Sequence, residues 1–483
     1  MDPIFALAIS LPPSGSRDLL RDLHRQLREA ILDGRLQPGL RLPATRALAT
    51  ALGISRNTAV AAYDLLLSEG YLVARPGAGT YVANALPRSS RLKNPGRAPE
   101  ADRRLNAHWR GPAGSLDARP GIPYRFDFRL GVPDHTMFPF EIWRRLSARS
   151  LRAMSKAPTA YAEPEGRSDL REAIAHHVSF TRAVACGADD IVVTCGAQQA
   201  FDLLSRILVT PGRTTVAIEE PGYPPLRAAF AAAGADIVAV PVDREGLMVD
   251  RLPASTRVVC VTPSHQFPLG TAMSPRRRAA LIDFVRAHGA VVIEDDYDSE
   301  FRFAGRPLDA LQTLDRAESV FYVGTFSKSM FPALRLGFVV APPWARSALV
   351  RAKQLTDWHA PMVAQDTLAA FMAEGHLARH IRKMRRIYGE RRATLLEALV
   401  RRCGDRIEPL QSDAGLHVSV RLNAPFRAGV LSARAADIGI GLEPLDRYAV
   451  TKPAPNGLAF GYGMIRSDRI DEAIGRLVSA MTA

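Results

Sequence analysis

Lysine is scarce in this chain, and one lysine stands where chemistry is expected. Of 63 basic residues only Lys93, Lys156, Lys328, Lys353, Lys383 and Lys452 are lysines. Lys328 lies in Gly324-Thr-Phe-Ser-Lys-Ser-Met-Phe-Pro-Ala-Leu-Arg-Leu-Gly337, after Thr325 and Ser327 and between an apolar run and a glycine-containing turn. A lysine so placed can form a Schiff base with an aldehyde, and neighbouring cations would lower its pKa and activate it. Arg335, seven residues later, can clamp a phosphate with two parallel bonds, which lysine cannot do. Taken alone, a Ser-Lys pair reads more simply as an exposed surface lysine.

Two more clusters point the same way. Thr194-Cys-Gly-Ala-Gln-Gln199 leaves an apolar run and opens a helix, so its amides and dipole can hold phosphate. Glu294-Asp-Asp-Tyr297 follows the apolar run ending at Ile293, at the carboxyl edge where open α/β sheets bind ligands. A carboxylate there would keep a pyridine nitrogen protonated, and the phenol two residues on could bond a ring oxygen. Each cluster alone is more often a cap or a solvated loop; together they converge on one small molecule.

A different chemistry is written near the start, in Leu42-Pro-Ala-Thr-Arg-Ala-Leu-Ala-Thr-Ala-Leu-Gly-Ile-Ser-Arg-Asn-Thr-Ala-Val-Ala-Ala-Tyr63. A helix that reads DNA needs small or polar residues at its start, and Ser55-Arg-Asn-Thr58 supplies them. Arg56 can pair with guanine and Asn57 with adenine, while Ser55 or Thr58 reaches phosphate. Arg46, one helix earlier, suits the DNA backbone. The tip from Arg75 through Gly77 to Gly79 can enter a minor groove. The plainer reading is a small helical domain whose polar helix starts are only caps.

The elements that must position these residues follow from periodicity. Leu19, Leu23, Leu27, Ile31 and Leu32 repeat at helical spacing before Gly34 and Pro38-Gly39. A second helix after Pro43 would turn Ala47, Leu48, Ala51 and Leu52 inward, with Gly53 as the turn. Ser55 caps a third helix carrying Val60, Tyr63 and Leu67, stopped at Gly70. Tyr71 to Val82 reads as two short strands around a glycine-rich tip. Residues 15–84 are thus one expected domain, and 85–123 a flexible basic linker whose eight arginines and lysines outnumber three acids. In residues 124–483, apolar runs at 191–194, 215–218, 258–261, 290–293, 320–323 and 338–341 alternate with helices. That pattern predicts an α/β fold with a largely parallel sheet covered on both faces, then a small α+β portion near His417 and Phe460.

Composition bounds the rest. With 483 residues, 47% hydrophobic and 23% charged, the chain is expected to be soluble and to fold as two or three domains. No apolar run reaches the roughly 18 residues of a membrane span. The short apolar stretch Ile4 to Leu11 follows Asp2 and reads as a partly ordered terminus, not a signal peptide. A net charge of +14 fits a polyanionic partner. Cys186, Cys195, Cys260 and Cys403 form no CxxC pair and no His cluster shows metal spacing, so a reduced cytoplasmic protein without metal is expected.

The stretch from Leu23 to Val82 resembles the GntR family of bacterial winged-helix regulators, including Ala30-Ile-Leu-Asp-Gly-Arg-Leu-Gln-Pro-Gly39 and Gly77-Ala-Gly-Thr-Tyr-Val82. Residues 124–483 resemble fold-type I aminotransferases, which use pyridoxal 5'-phosphate (PLP). That resemblance implies Lys328 as the Schiff-base residue, Asp295 on the pyridinium and Tyr297 on the ring oxygen. It implies Gly196, Ala197, Gln198, Ser327 and Arg335 on the phosphate, and Tyr223 stacked on the ring. Tyr161, in Tyr161-Ala-Glu-Pro-Glu-Gly166, corresponds to a phosphate contact lent by a second subunit, hence a homodimer.

The whole arrangement resembles the MocR subgroup of GntR regulators, whose characteristic segments are matched by Thr262-Pro-Ser-His-Gln-Phe-Pro-Leu-Gly270 and Glu294-Asp-Asp-Tyr-Asp-Ser-Glu-Phe301. Its members regulate vitamin B6 or amine metabolism genes and usually bind double-stranded operator DNA as head-to-tail dimers. The implied signal is the PLP aldimine or its adduct with a small amine or amino acid. Two departures stand out. Gly457 occupies the segment where many aminotransferases place the arginine that grips the substrate carboxylate, with Arg447 as a substitute. Tyr223 is followed by Pro224-Pro225 where GABA-sensing members carry an arginine, so GABA is not the expected effector. A working aminotransferase fused to a DNA-binding domain is the second reading, and a cofactor-free dimerisation scaffold the third.

Overall fold

The computed structural model describes residues 9–12, 16, 18–84, 104, 106, 109, 124–156, 160–305 and 308–482. They fall into two compact units divided between Leu105 and Asn106. Most of the expected linker and the start of the apolar N-terminal stretch lie outside the described residues.

The first unit holds α1 (Leu19–Leu32), α2 (Thr45–Leu52), α3 (Arg56–Ser68) and a hairpin of β1 (Leu72–Arg75) with β2 (Gly79–Val82). Leu23, Leu27, Ile31, Leu48, Tyr63 and Leu66 are among the residues of its core. The expected helix faces need correction. Leu32 is 39% exposed, and in α2 the buried pair is Leu48 and Ala49 while Ala47 and Ala51 face solvent. In α3, Ala59, Ala62, Tyr63 and Leu66 are buried, with Val60 and Leu67 only half-buried. The Tyr63 hydroxyl donates to Pro43 O at 3.0 Å, tying α3 to the entrance of α2. Leu42 N–H donates to Thr80 O, so the chain before α2 adds an edge to the hairpin.

The second unit begins with β3 (Phe126–Asp127), α4 (Phe140–Met154) and α5 (Ser168–Arg182). Its large sheet is laid down by β4 (Ile191–Thr194), β5 (Thr215–Glu220), β6 (Asp236–Asp243), β7 (Gly246–Leu247), β8 (Thr256–Val261), β9 (Val291–Asp296), β10 (Val320–Thr325) and β11 (Gly337–Val340). Between them run α6 (Ala197–Leu208), α7 (Pro224–Ala232) and α8 (Pro275–His288). The strand order is β4-β11-β10-β9-β8-β5-β6-β7. Pairings among β5, β6, β8, β9 and β10 are parallel; β11 runs antiparallel to both neighbours, as does the short β7 to β6. Alternation along the strands feeds both faces: Ile191 and Val193 enter one cluster with α5 and α10 (Met362–Ala373), while Val192 joins Phe201, Leu204 and Phe230 on the other. Each such side chain contributes roughly 1.5–3 kcal/mol by leaving water.

After α9 (Pro343–Thr356) and α10, the long α11 (His376–Cys403) leads into the C-terminal portion. There β12 (Ile407–Pro409), β13 (His417–Leu422), α12 (Ala428–Asp437), β14 (Ile440–Gly441), β15 (Glu443–Pro444), β16 (Gly457–Gly461) and α13 (Ser467–Thr482) build an antiparallel sheet ordered β12-β13-β16-β15. β14 pairs in parallel with β3, so the front of the unit is stitched to its end. The α+β portion expected from sequence is therefore present, with Tyr124–Phe128 as an added, early segment.

Candidate functional site

The amine of Lys328 is placed by the loop leaving β10. Its Nζ donates to Gly131 O at 2.6 Å. Gly131 has φ +71°, which strains any side chain, and a Cβ there would fall 2.6 Å from Nζ and push the amine aside. Burial lowers the Lys328 pKa below the ordinary lysine range, with Arg335 adding to it and Asp298 and Asp295 opposing. The cation effect expected from sequence is thus present but is the smallest cause; loss of water is the largest.

Across from this loop, β4 ends and α6 begins. Gly196 caps α6 with φ +77°, and a Cβ there would lie 3.0 Å from the Arg335 guanidinium. Arg335 donates to Cys195 O at 2.7 Å, joining the two loops. Ser327 is held by Thr325, whose hydroxyl donates to Ser327 Oγ at 3.0 Å and accepts from Ser327 N–H. Gly196, Ala197 and Gln198 thus open α6 with the Arg335 guanidinium beside them, where a helix N-terminus and its dipole favour a dianion. Gln198 itself donates to Pro225 O at 3.2 Å.

Asp295 sits near the carboxyl end of β9 and is 4% exposed. Its Oδ1 is buried without a hydrogen-bond partner. Burial, reinforced by Asp296 and Asp298, pushes this carboxyl well above its ordinary range. Such a group calls for an opposite charge. Tyr297 follows, its hydroxyl 2.9 Å from His265 Nδ1 and donating to His265 O at 3.1 Å. Tyr223 precedes α7 and presents its ring edge-on to Phe267 at 5.4 Å, with both Asp295 and Arg335 close enough to act on its phenol.

Two expected site residues are not drawn into this cluster. Tyr161 is 79% exposed and stacks on Trp358 at 5.0 Å. Arg447 lies in the turn Leu445–Tyr448, 3.9 Å from Glu443. At Gly457 a Cβ would lie 2.3 Å from Val420 O, so no side chain fits there. The other end of β16 is the one near Lys328, since Gly461 and Gly463 pack on the backbones of Arg129 and Val132, flanking Gly131.

Sequence reasoning missed several buried polar groups that line up beside the cluster. Glu219 at the end of β5 is 5% exposed, and burial raises its carboxyl to about 7 although Thr262 and Gln266 hydrogen-bond it. His265, Asp298 and His417 gather their side-chain polar atoms within 4.8 Å of one another. The available signals were His265, inside the segment Thr262–Gly270, and Asp298, inside Glu294–Phe301.

The residues present fit PLP on three observations. Asp295 offers a buried, unpartnered oxygen suited to a protonated ring nitrogen. Two glycines leave the room that a Cβ would fill, at Gly131 beside the amine and at Gly196 beside the guanidinium. The buried amine has a lowered pKa, which favours the neutral form that attacks an aldehyde carbon. When bound, the cofactor supplies an aldehyde for covalent attachment and a ring that withdraws electrons.

In the first unit, α3 starts where Ser55 Oγ accepts from Thr58 N–H at 3.1 Å, and the Ser55 and Thr58 hydroxyls lie 2.8 Å apart. Capping therefore engages both hydroxyls expected to reach phosphate, while Arg56 and Asn57 point outward, exposed. Arg46 is exposed on α2. The Arg75 guanidinium lies over the Tyr81 ring at 4.5 Å, at the base of a tip where Gly77 has φ +75°.

Comparison with known proteins gives a consistent picture. The family of bacterial regulatory proteins of gntR type matches residues 19–82, and aminotransferase class I and II matches residues 127–436. The chain is 38% identical to the probable rhizopine catabolism regulatory protein MocR of Rhizobium meliloti, over 96% of this chain and 94% of that protein. It is 31% identical to the pyridoxine biosynthesis transcriptional regulator PdxR of Corynebacterium glutamicum, covering 99% of both. The structure of LysN, the α-aminoadipate aminotransferase of Thermus thermophilus, superposes with a TM-score of 0.68 at 30% identity, over 74% of this chain and 92% of LysN. A winged-helix unit followed by an aminotransferase class I and II domain, and full-length likeness to MocR and PdxR, make this chain a member of the MocR-type GntR transcriptional regulators.

Proposed function

We propose that this chain regulates transcription according to what is bound at Lys328. The observation that carries the reading is the pairing, in one chain, of an exposed capped helix bearing Arg56 and Asn57 with a buried amine facing an unpartnered Asp295. In this reading Lys328 holds PLP covalently and Asp295 pairs with its ring nitrogen. Tyr297 meets the ring oxygen, Tyr223 stacks on the ring, and Gly196, Ala197, Gln198, Ser327 and Arg335 hold the phosphate. The exposure of Tyr161 supports its loan to a neighbouring subunit of a head-to-tail homodimer. Arg46, Ser55, Arg56, Asn57, Thr58, Arg75 and Gly77 meet operator DNA. A small amine or amino acid that reacts at the cofactor alters the equilibrium between two protein states, and operator affinity changes only by the ligand's differential affinity for them. Target genes belong to vitamin B6 or amine metabolism, and the protein acts in the cytoplasm on chromosomal DNA. Arg447, 37% exposed beside Glu443, is the candidate for an effector carboxylate.

Titration of the purified protein with PLP, read in the visible spectrum and by gel shift on its own upstream DNA, tests this directly. A visible band that forms and changes the gel shift supports the regulator. No band at all refutes it. A second reading, a working aminotransferase, is favoured by the complete set of Lys328, Asp295 and Arg335 and by the likeness to LysN. Turnover of an amino acid with a keto acid would establish it.

A further inference from the structure

Behind Tyr297 stands a hydrogen-bonded chain that the cofactor contacts leave unused. Its centre is His265, in the loop after β8. His265 Nδ1 faces the Asp298 carboxylate at 3.0 and 3.2 Å and the Tyr297 oxygen at 2.9 Å. His265 Nε2 lies 3.0 Å from Ser412 Oγ, in the segment between β12 and β13. His265, Asp298 and Ser412 are 2%, 2% and 4% exposed. The segment is pressed close: a Cβ at Gly415 would fall 2.5 Å from Asp298.

Donor bookkeeping orders the protons. A carboxylate only accepts, so Nδ1 carries a hydrogen, shared between Asp298 and the Tyr297 oxygen. In the neutral ring Nε2 accepts from the Ser412 hydroxyl. If the ring is charged, Nε2 donates and the Ser412 hydroxyl turns to Ala414 O, 3.3 Å away. Tyr297 then has one hydrogen of its own, now given to His265 O. The other titratable groups facing this network are Asp295, Glu219, Lys328, Tyr462 and His417, the last with its ring 4.6 Å from His265. Burial, with Asp298 and Asp295, raises the Tyr297 phenol well above its ordinary range and keeps its proton in place.

We propose that His265 is a positioning residue: through Asp298 and Ser412 it holds Tyr297 as a hydrogen-bond donor aimed at the ring oxygen of PLP, and it anchors that donor to the C-terminal sheet. The inference rests on the reading of the Lys328 site given above. A histidine that merely filled space would leave the ring oxygen untouched.

The test uses full-length protein loaded with PLP, its visible band followed through a pH series. A donor to the ring oxygen stabilises its negative charge once the proton on the linking nitrogen is lost, so weakening the donor raises the midpoint. Tyr297→Phe and His265→Gln are each expected to raise it by about one pH unit, the size of one hydrogen bond to a charged group. The double variant should shift no further than either single one, because both changes remove the same donor. His265→Asn, whose amide nitrogen falls near the position of Nδ1, should restore the parental midpoint. Asp298→Asn provides a second route if His265→Gln does not fold. An unchanged midpoint in His265→Gln, with the cofactor still attached by mass after borohydride reduction, overturns the proposal. So do fully additive shifts in the double variant. No band in the parent protein refutes the site reading itself, a different result from a parent band that His265 does not influence.

Discussion

An amine attacks an aldehyde only when neutral, and the surroundings of Lys328 favour that form mainly by excluding water. Lys328→Ala is expected to remove the visible band while leaving a folded protein; a persistent band would overturn the attachment site. Gly131→Ala places a methyl 2.6 Å from Nζ and is expected to slow PLP attachment at least tenfold, read by stopped-flow absorbance, since about 1.4 kcal/mol of strain suffices. The residues that declared themselves in the sequence were those held in short local motifs, as with Lys328 and Arg335. His265 and Ser412 did not, because they meet across a separation of 147 positions that no periodicity reports. A glycine in a strand reads as a missing side chain, whereas at Gly457 the neighbouring Val420 carbonyl excludes one.

Elements carry the next level of expectation. The Ser55 cap satisfies an N–H at the start of α3, so Ser55→Ala should cost about 0.5–2 kcal/mol in the stability of the first unit, measured by urea unfolding. On α11, His380 is 5% exposed with its ring 5.3 Å from Phe138. Burial, with Lys383 nearby, depresses its pKa from 6.5 to about 4. A base that is neutral when folded and free to protonate when unfolded leaves stability unaffected above 6.5. As the pH falls from 6.5 to about 4, stability drops by up to about 1.4 kcal/mol per unit. His380→Phe should remove that part of the slope; parallel pH profiles for parent and variant would contradict it. Continuous apolar runs made most strands of the large sheet legible. β6 was missed because it contains Pro241 and is only partly buried, which blurs its pattern. The reversal of β11 left no trace, since a strand buried on both faces reads the same in either direction.

For the whole molecule, the charge of +14 makes operator binding salt-dependent. Arg56→Ala should lose about 1–3 kcal/mol of preference for the operator over unrelated DNA, read by competition gel shift. The proposed loan of Tyr161 has its own test. Tyr161→Phe and Lys328→Ala each impair both sites of a homodimer, but a mixed dimer contains one site with both residues intact. Mixing the two variants should therefore restore tight PLP binding at up to one site per dimer; no recovery would mean that Tyr161 serves its own subunit. The place of β11 in the sheet also bears on biosynthesis. Among the described residues β4 has β11 as its one sheet neighbour, and 142 residues separate the end of one from the start of the other. At a synthesis rate of about 5–20 residues per second, β4 waits roughly 7–30 s with its backbone edge open. Chaperone dependence during translation should accordingly concentrate in nascent chains that end between these two strands.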